Sequence, residues 1–131
     1  MTQILIIALG GAIGAALRHL TGKIAVQAFG QPSIYTGTLF SNVIGCFVGG
    51  GFLAFFTHAD SFIINTQLFL IIGILGSYTT FSSFALESHQ LFNISNKDLF
   101  AYLFYQIIGA FGALAAGYGI VFWLMEGFIH V

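Results

Sequence analysis

Residues 76–87 read GSYTTFSSFALE, so that six hydroxyl side chains, those of Tyr78, Thr79, Thr80, Ser82 and Ser83 among them, and the Glu87 carboxylate directly follow the apolar run FLIIGIL. Gly73 and Gly76 lower helix propensity here, and short hydroxyl side chains bond their own backbone in place of the helical ladder. The expectation is a helix broken near its middle. Backbone groups freed at membrane depth survive only when buried in protein or lining a cavity, so the carbonyls around Gly76 to Thr79 are candidates to hold a small ion. The bland alternative has the hydroxyls bonding back onto an unbroken helix. Phe81 and Phe84, three apart, share one face of the helix that resumes. An aromatic ring is negative on its face and positive at its edge, so two rings presented edgewise along a narrow passage can support a small anion that has lost its water. Phe pairs at this spacing in an apolar chain are otherwise packing residues.

Other polar side chains sit inside apolar surroundings and need partners. Asn42, in GTLFSNVIGC, would cost several kcal/mol unpaired in hydrocarbon, so it faces protein or a polar path; Thr38 and Ser41 widen the polar face around it. Gln106 and Arg18 raise the same question, with Arg18 also suited to anchoring at the membrane edge by snorkelling. Catalytic chemistry lacks its parts. His19, His58, His89 and His130 lie near segment ends or termini without metal-ligand spacing, Ser82 has no evident base, and a single cysteine offers neither an intrachain disulfide nor a metal cluster. A small proton-coupled exporter of cations or drugs would need a carboxylate within the membrane, and Glu87 is the only candidate, near a segment end beside His89.

The elements that must position these groups follow from composition. With 58% of 131 residues hydrophobic, 5% charged and a net charge of −1, the chain cannot cover a water-facing surface and has no basic patch for nucleic acid. It belongs in a bilayer. Residues 1–131 read as one all-α membrane domain with spans at roughly 3–27, 34–57, 62–90 and 99–125, each long enough for the about 20 residues that cross a hydrocarbon core. The first has no basic segment before it and Arg18 and His19 after it, which reads as a retained helix rather than a cleaved signal. Breaks fall at Gly30, Gln31, Pro32 and Ser33, at His58, Ala59, Asp60 and Ser61, and from Asn93 to Asp98, with Ser95 and Asp98 forming a potential capping box. Transmembrane strands would alternate apolar and polar residues, which FVGGGFLAFF does not.

Small residues four apart, Gly10 and Gly14, Gly45 and Gly49, and Gly109, Ala113 and Gly117, favour close helix crossings. Lys23, Lys97 and Arg18 place so little weight on either side that orientation is weakly set, toward an outside N-terminus. A chain poised this evenly can insert both ways, and antiparallel pairing then gives a two-fold dimer with its axis in the membrane plane.

At this point a resemblance is plain. GGAIGAALRH at 10–19, GTLFSNVIG at 37–45 and GILGSYTTFSSFALE at 73–87 resemble, in order and in the right spans, the bacterial fluoride channel family, the small Fluc or CrcB-type membrane proteins. The resemblance implies a fluoride channel of the bacterial inner membrane, built as an antiparallel dual-topology dimer with two pores. It implies that Asn42 lies along the fluoride path, that Phe81 and Phe84 line the pores, and that Thr80, Ser82 and Ser83 are their hydroxyl neighbourhood. Arg18 would stand near the vestibule and Glu87 near the far end of the polar track. The Gly76 and Thr79 carbonyls of both subunits would hold a central Na+. Two departures stand out: Tyr78 replaces a usually small or apolar residue, and the fourth helix offers Gln106 and Ala110 where a hydroxyl is commoner.

Overall fold

The computed structural model describes residues 1–30, 34–58 and 64–129. Those residues form α1 (Thr2–Phe29), α2 (Gly37–His58), α3 (Ile64–Gln67), a π-helical stretch (Leu68–Leu75), α4 (Gly76–Tyr78), α5 (Phe81–Phe92) and α6 (Asn96–Ile129). Four stretches are long and apolar enough to cross a membrane: Thr2–Phe29, Gly37–Thr57, Ile64–Phe92 and Asn96–Gly127. They coincide with the four expected spans to within a few residues.

Their ends have local causes. Gly30 has φ 72° and donates its N–H to the Val26 carbonyl at 2.9 Å, closing α1 in a left-handed conformation that carries no Cβ penalty only in glycine. The other expected break residues between the first two spans, Gln31, Pro32 and Ser33, lie outside the described residues, as do Ala59, Asp60 and Ser61. Ser95 does cap α6: its Oγ accepts from the Asp98 N–H at 3.4 Å, and its carbonyl from the Leu99 N–H at 3.0 Å. Its own N–H donates to the Leu91 carbonyl at 2.9 Å, so the turn out of α5 takes the group that a reciprocal capping box would use.

Glycines set the packing. A Cβ on Gly10 would stand 2.6 Å from the Phe69 carbonyl oxygen and 2.9 Å from Gly73 Cα, and one on Gly14 would strike the Ile74 carbonyl and lie 3.0 Å from Ser77 Cβ. The first and third spans therefore run parallel with their backbones nearly touching. The second and fourth do the same: Gly109 faces Val43, Gly117 faces the Phe47 carbonyl, and Gly51 faces Val121. Across the bundle, α1 meets α2 head to tail where Gly37 abuts Gly22.

The result inverts a water-soluble domain. Ile4, Leu9, Leu20, Phe100, Phe111 and Trp123 are exposed on the outside, while Thr38, Ser41, Thr80 and Gln106 are buried within. Apolar surface outside costs nothing in lipid, whereas each buried polar group must find a partner in the protein.

Candidate functional site

Thr79 and Thr80, between α4 and α5, have extended backbones, with ψ 155° at Thr79 and φ −153°, ψ 123° at Thr80. Asn42 of α2 meets this point with both ends of its amide. Its Oδ1 accepts from the Thr80 N–H at 2.8 Å, and its Nδ2 donates to the Thr80 carbonyl at 3.2 Å. The deep asparagine thus satisfies two backbone groups that no helix turn satisfies there. Thr80 then caps α5: its Oγ1 accepts from the Ser83 N–H at 3.3 Å, reaches Ser83 Oγ at 3.3 Å and lies 3.1 Å from Ser82 Oγ. Both diversions have a consequence one turn back. In a continuous helix the Thr80 N–H would bond the Gly76 carbonyl, and the Ser83 N–H the Thr79 carbonyl. Here those two donors go to Asn42 and to Thr80 Oγ1, which releases the two carbonyls.

One turn along α5 from Ser83 is Glu87, and both its oxygens are engaged. Thr38 Oγ1 of α2 donates to Oε1 at 2.6 Å, and the Tyr102 hydroxyl of α6 donates to Oε2 at 2.7 Å. Tyr102 has no exposed surface, so its hydroxyl has to be satisfied inside the protein. Three spans are tied at one carboxylate, each of whose oxygens accepts one hydroxyl bond. Ser41, also fully buried, turns its hydroxyl back to the Thr38 carbonyl at 3.2 Å.

This polar line opens into a cavity of about 890 Å³ between α1, α2 and α5. Arg18, His19 and Lys23 line its α1 wall; Thr38, Ser83 and Glu87 line the opposite one. Glu87 is the one carboxylate among the described residues there, so the mouth is electropositive.

The two rings differ in setting. Phe81 and Phe84 stand 5.6 Å apart at 55°, but Phe84 also stacks on Tyr102 at 5.8 Å, whereas Phe81 is 78% exposed and points away from the chain. Gln106, one turn beyond Tyr102 on α6, is buried and does not line the cavity; among the described residues its Oε1 has no hydrogen-bond partner. Arg18, Ser83 and Glu87 thus line the cavity, while Thr80, Ser82 and Asn42 adjoin Ser83 through the hydrogen bonds at the start of α5 and Phe84 lies beside them on the Tyr102 ring. Two contributors were missed from the sequence. Tyr102 was one aromatic among several in LFAYLFYQ, and its i, i+4 spacing to Gln106 was the available signal; Thr38 was seen only as a neighbour of Asn42.

Four apolar spans around a buried or half-buried set of hydroxyls, an amide and a carboxylate define a multi-pass membrane protein with polar groups in its interior. The family described as CrcB-like protein, Camphor Resistance (CrcB), matches residues 5–118, and the chain belongs to that family. Similar proteins include the fluoride-specific ion channel FluC of Rhizobium etli strain CFN 42, 45% identical over 92 residues that cover 70% of this chain and 73% of the relative. Those of Anaeromyxobacter dehalogenans strain 2CP-1, 35% identical over 125 residues, and of Flavobacterium psychrophilum, 34% over 121, cover 95% and 92% of this chain and 98% and 96% of the relatives. The names of these relatives are those of channels, not enzymes.

Proposed function

We propose that this chain is a fluoride channel of the bacterial inner membrane, acting as an antiparallel dual-topology dimer with two pores and a structural Na+ between its subunits. One observation carries the reading. A line of hydrogen-bonding side chains, Glu87 with Thr38 and Tyr102 and then Ser83, Thr80 and Ser82 with Asn42, runs inward from an electropositive cavity through an otherwise apolar bundle. The FluC names of the relatives supply the ion.

Fluoride is small and holds water tightly, so it enters a protein only where donors replace that water. Arg18 and Lys23 raise the local anion concentration at the mouth. Hydroxyls rotate, so those of Thr38, Tyr102, Ser82 and Ser83 can exchange an internal acceptor for a passing anion. The positive edges of Phe81 and Phe84 continue the path where donors end. With its single chain bonded to Thr80, Asn42 has one N–H and one lone pair left, enough to border the path while holding the backbone.

The extended backbone at Thr79 and Thr80 is, in this reading, a break in the third span made to present carbonyls. The released Gly76 and Thr79 oxygens are hard, neutral ligands suited to Na+ without a carboxylate. A second, antiparallel copy would double them, and the bound cation would supply a fixed positive charge near both anion paths. Exposure of Phe81 and Gly76 on a face the chain leaves uncovered, together with the nearly even Lys and Arg distribution, supports that partner. Fluoride efflux from liposomes holding the purified protein, followed by electrode against chloride-loaded controls, tests the proposal. Efflux of fluoride well above that of chloride is expected; equal rates or none would overturn it.

A further inference from the structure

Tyr78 is the departure that the family resemblance left unexplained, and it is buried at a decisive place. It ends α4, immediately before the extended Thr79, with 7% of its surface exposed. Its hydroxyl lies 3.1 Å from Thr21 Oγ1 of α1, and that oxygen already donates its one proton to the Leu17 carbonyl at 3.0 Å. Tyr78 is therefore the donor and Thr21 the acceptor. The ring sits against α2 at Gly45, where an added Cβ would stand 3.4 Å from Tyr78 Cδ1 and strike the Thr79 side chain. Thr79 closes the same turn on itself, its N–H and Oγ1 both donating to the Leu75 carbonyl at 3.0 and 2.9 Å.

We infer that Tyr78 and Thr21 form a latch that positions the Gly76 and Thr79 carbonyls, so that α1 sets the affinity of the cation site. Asn42 fixes the backbone just after the turn, at Thr80, and the phenol fixes it just before. Between two such anchors the intervening peptides keep their carbonyls aimed one way. A phenylalanine at 78 would fill the space between α1 and α2 equally well, so the hydroxyl's contribution is orientation rather than bulk. Loss of this anchor lets the turn sample other carbonyl directions, and a cation loses affinity by the fraction of time its ligands point elsewhere.

The inference rests on the sodium reading above, and its test separates the two. The purified full-length protein is titrated with NaCl, with N-methylglucamine chloride holding ionic strength constant, while its melting temperature is recorded. Y78F and T21V are each expected to raise the sodium midpoint threefold to tenfold, the range a single neutral hydrogen bond spans. The double variant should move it no further than the larger single one, because both remove the same contact. T21S, which keeps the hydroxyl, should restore the parent midpoint. The fluoride-to-chloride efflux ratio at saturating sodium should not change, since no latch atom faces the anion route. Midpoints unchanged in both Y78F and T21V would overturn the latch. So would a parent protein that conducts fluoride without any sodium-dependent stabilisation. A parent that shows the sodium response and its latch dependence without fluoride efflux would overturn the channel reading and leave the latch standing.

Discussion

The two halves of the third span are held by opposite means. Its first half, Ile64–Tyr78, carries the run LFLIIGIL and lies against α1 through Gly10, Gly14 and Gly73, backbone on backbone. The second half, Phe81–Phe92, is held by side chains: Asn42 on Thr80, Thr38 and Tyr102 on Glu87, and the Phe84 ring on Tyr102. Dispersion between closely approaching backbones has no tolerance for added volume, whereas hydrogen bonds between hydroxyls can be exchanged at low cost. The rigid half is thus suited to fixing carbonyls and the adaptable half to meeting an ion in transit.

Substitutions that touch one half and spare the other break or sharpen this contrast. The largest effect is expected at Gly14. In Gly14→Leu the side chain would be driven into the Ile74 carbonyl, costing about 3 kcal/mol or more, so the purified protein should lose its single sharp peak in size-exclusion chromatography. A monodisperse Gly14→Leu protein would mean that the first half is not held by backbone approach.

Next come the rings. Phe81→Ile and Phe84→Ile keep much of the bulk and lose the positive edge, so fluoride efflux should fall about tenfold or more while the chromatographic profile survives. Phe84→Ile should also lower the melting temperature more than Phe81→Ile, because Phe84 alone stacks on Tyr102 in the single chain. Normal efflux in both would return the pair to packing.

A smaller effect is expected from thinning the Glu87 junction. Tyr102→Phe removes one of its two hydroxyl donors and should slow efflux roughly fivefold, the equivalent of about 1 kcal/mol for one hydrogen bond. Thr38→Val removes the other and should behave alike. If either variant matches the parent in rate, the carboxylate junction belongs to structure rather than to the path. Smallest of all is the effect of a tag: a C-terminal label should leave efflux unchanged and be modified from both faces of the membrane, whereas one accessible face would remove the case for dual topology.

Much of this was legible in advance, for reasons that differ by residue. The spans were, because a bilayer demands about 20 apolar residues whatever the fold. That Asn42 needed a partner was equally plain, since an amide in hydrocarbon cannot go unpaired; that the partner is the Thr80 backbone was not, because a contact between α2 and α5 depends on how the spans are arranged. The Glu87 junction joins three spans, and a hydroxyl at Tyr102 looks the same in sequence as one at Tyr105, which is exposed. The π-helical winding of Leu68–Leu75 left no trace either: a uniformly apolar run has no periodicity to read. Residue type alone marks Gln106 as a polar group inside a span; that it is buried, and that the cavity beside α1 is lined by other residues, depends on which face of α6 meets α2.

The most direct test of the central claim compares fluoride efflux through the parent protein with that through Asn42→Ala, reconstituted at equal density from monodisperse peaks. Removing the amide leaves the Thr80 N–H and carbonyl without their partner and takes out the one group that serves both the turn and the polar line. The parent should empty fluoride-loaded liposomes and retain chloride, and Asn42→Ala should release fluoride about a hundredfold more slowly, as expected when two buried backbone groups lose bonds of about 1 to 3 kcal/mol. Efflux in Asn42→Ala at the parent rate would contradict the claim that this line of side chains is the route of the ion.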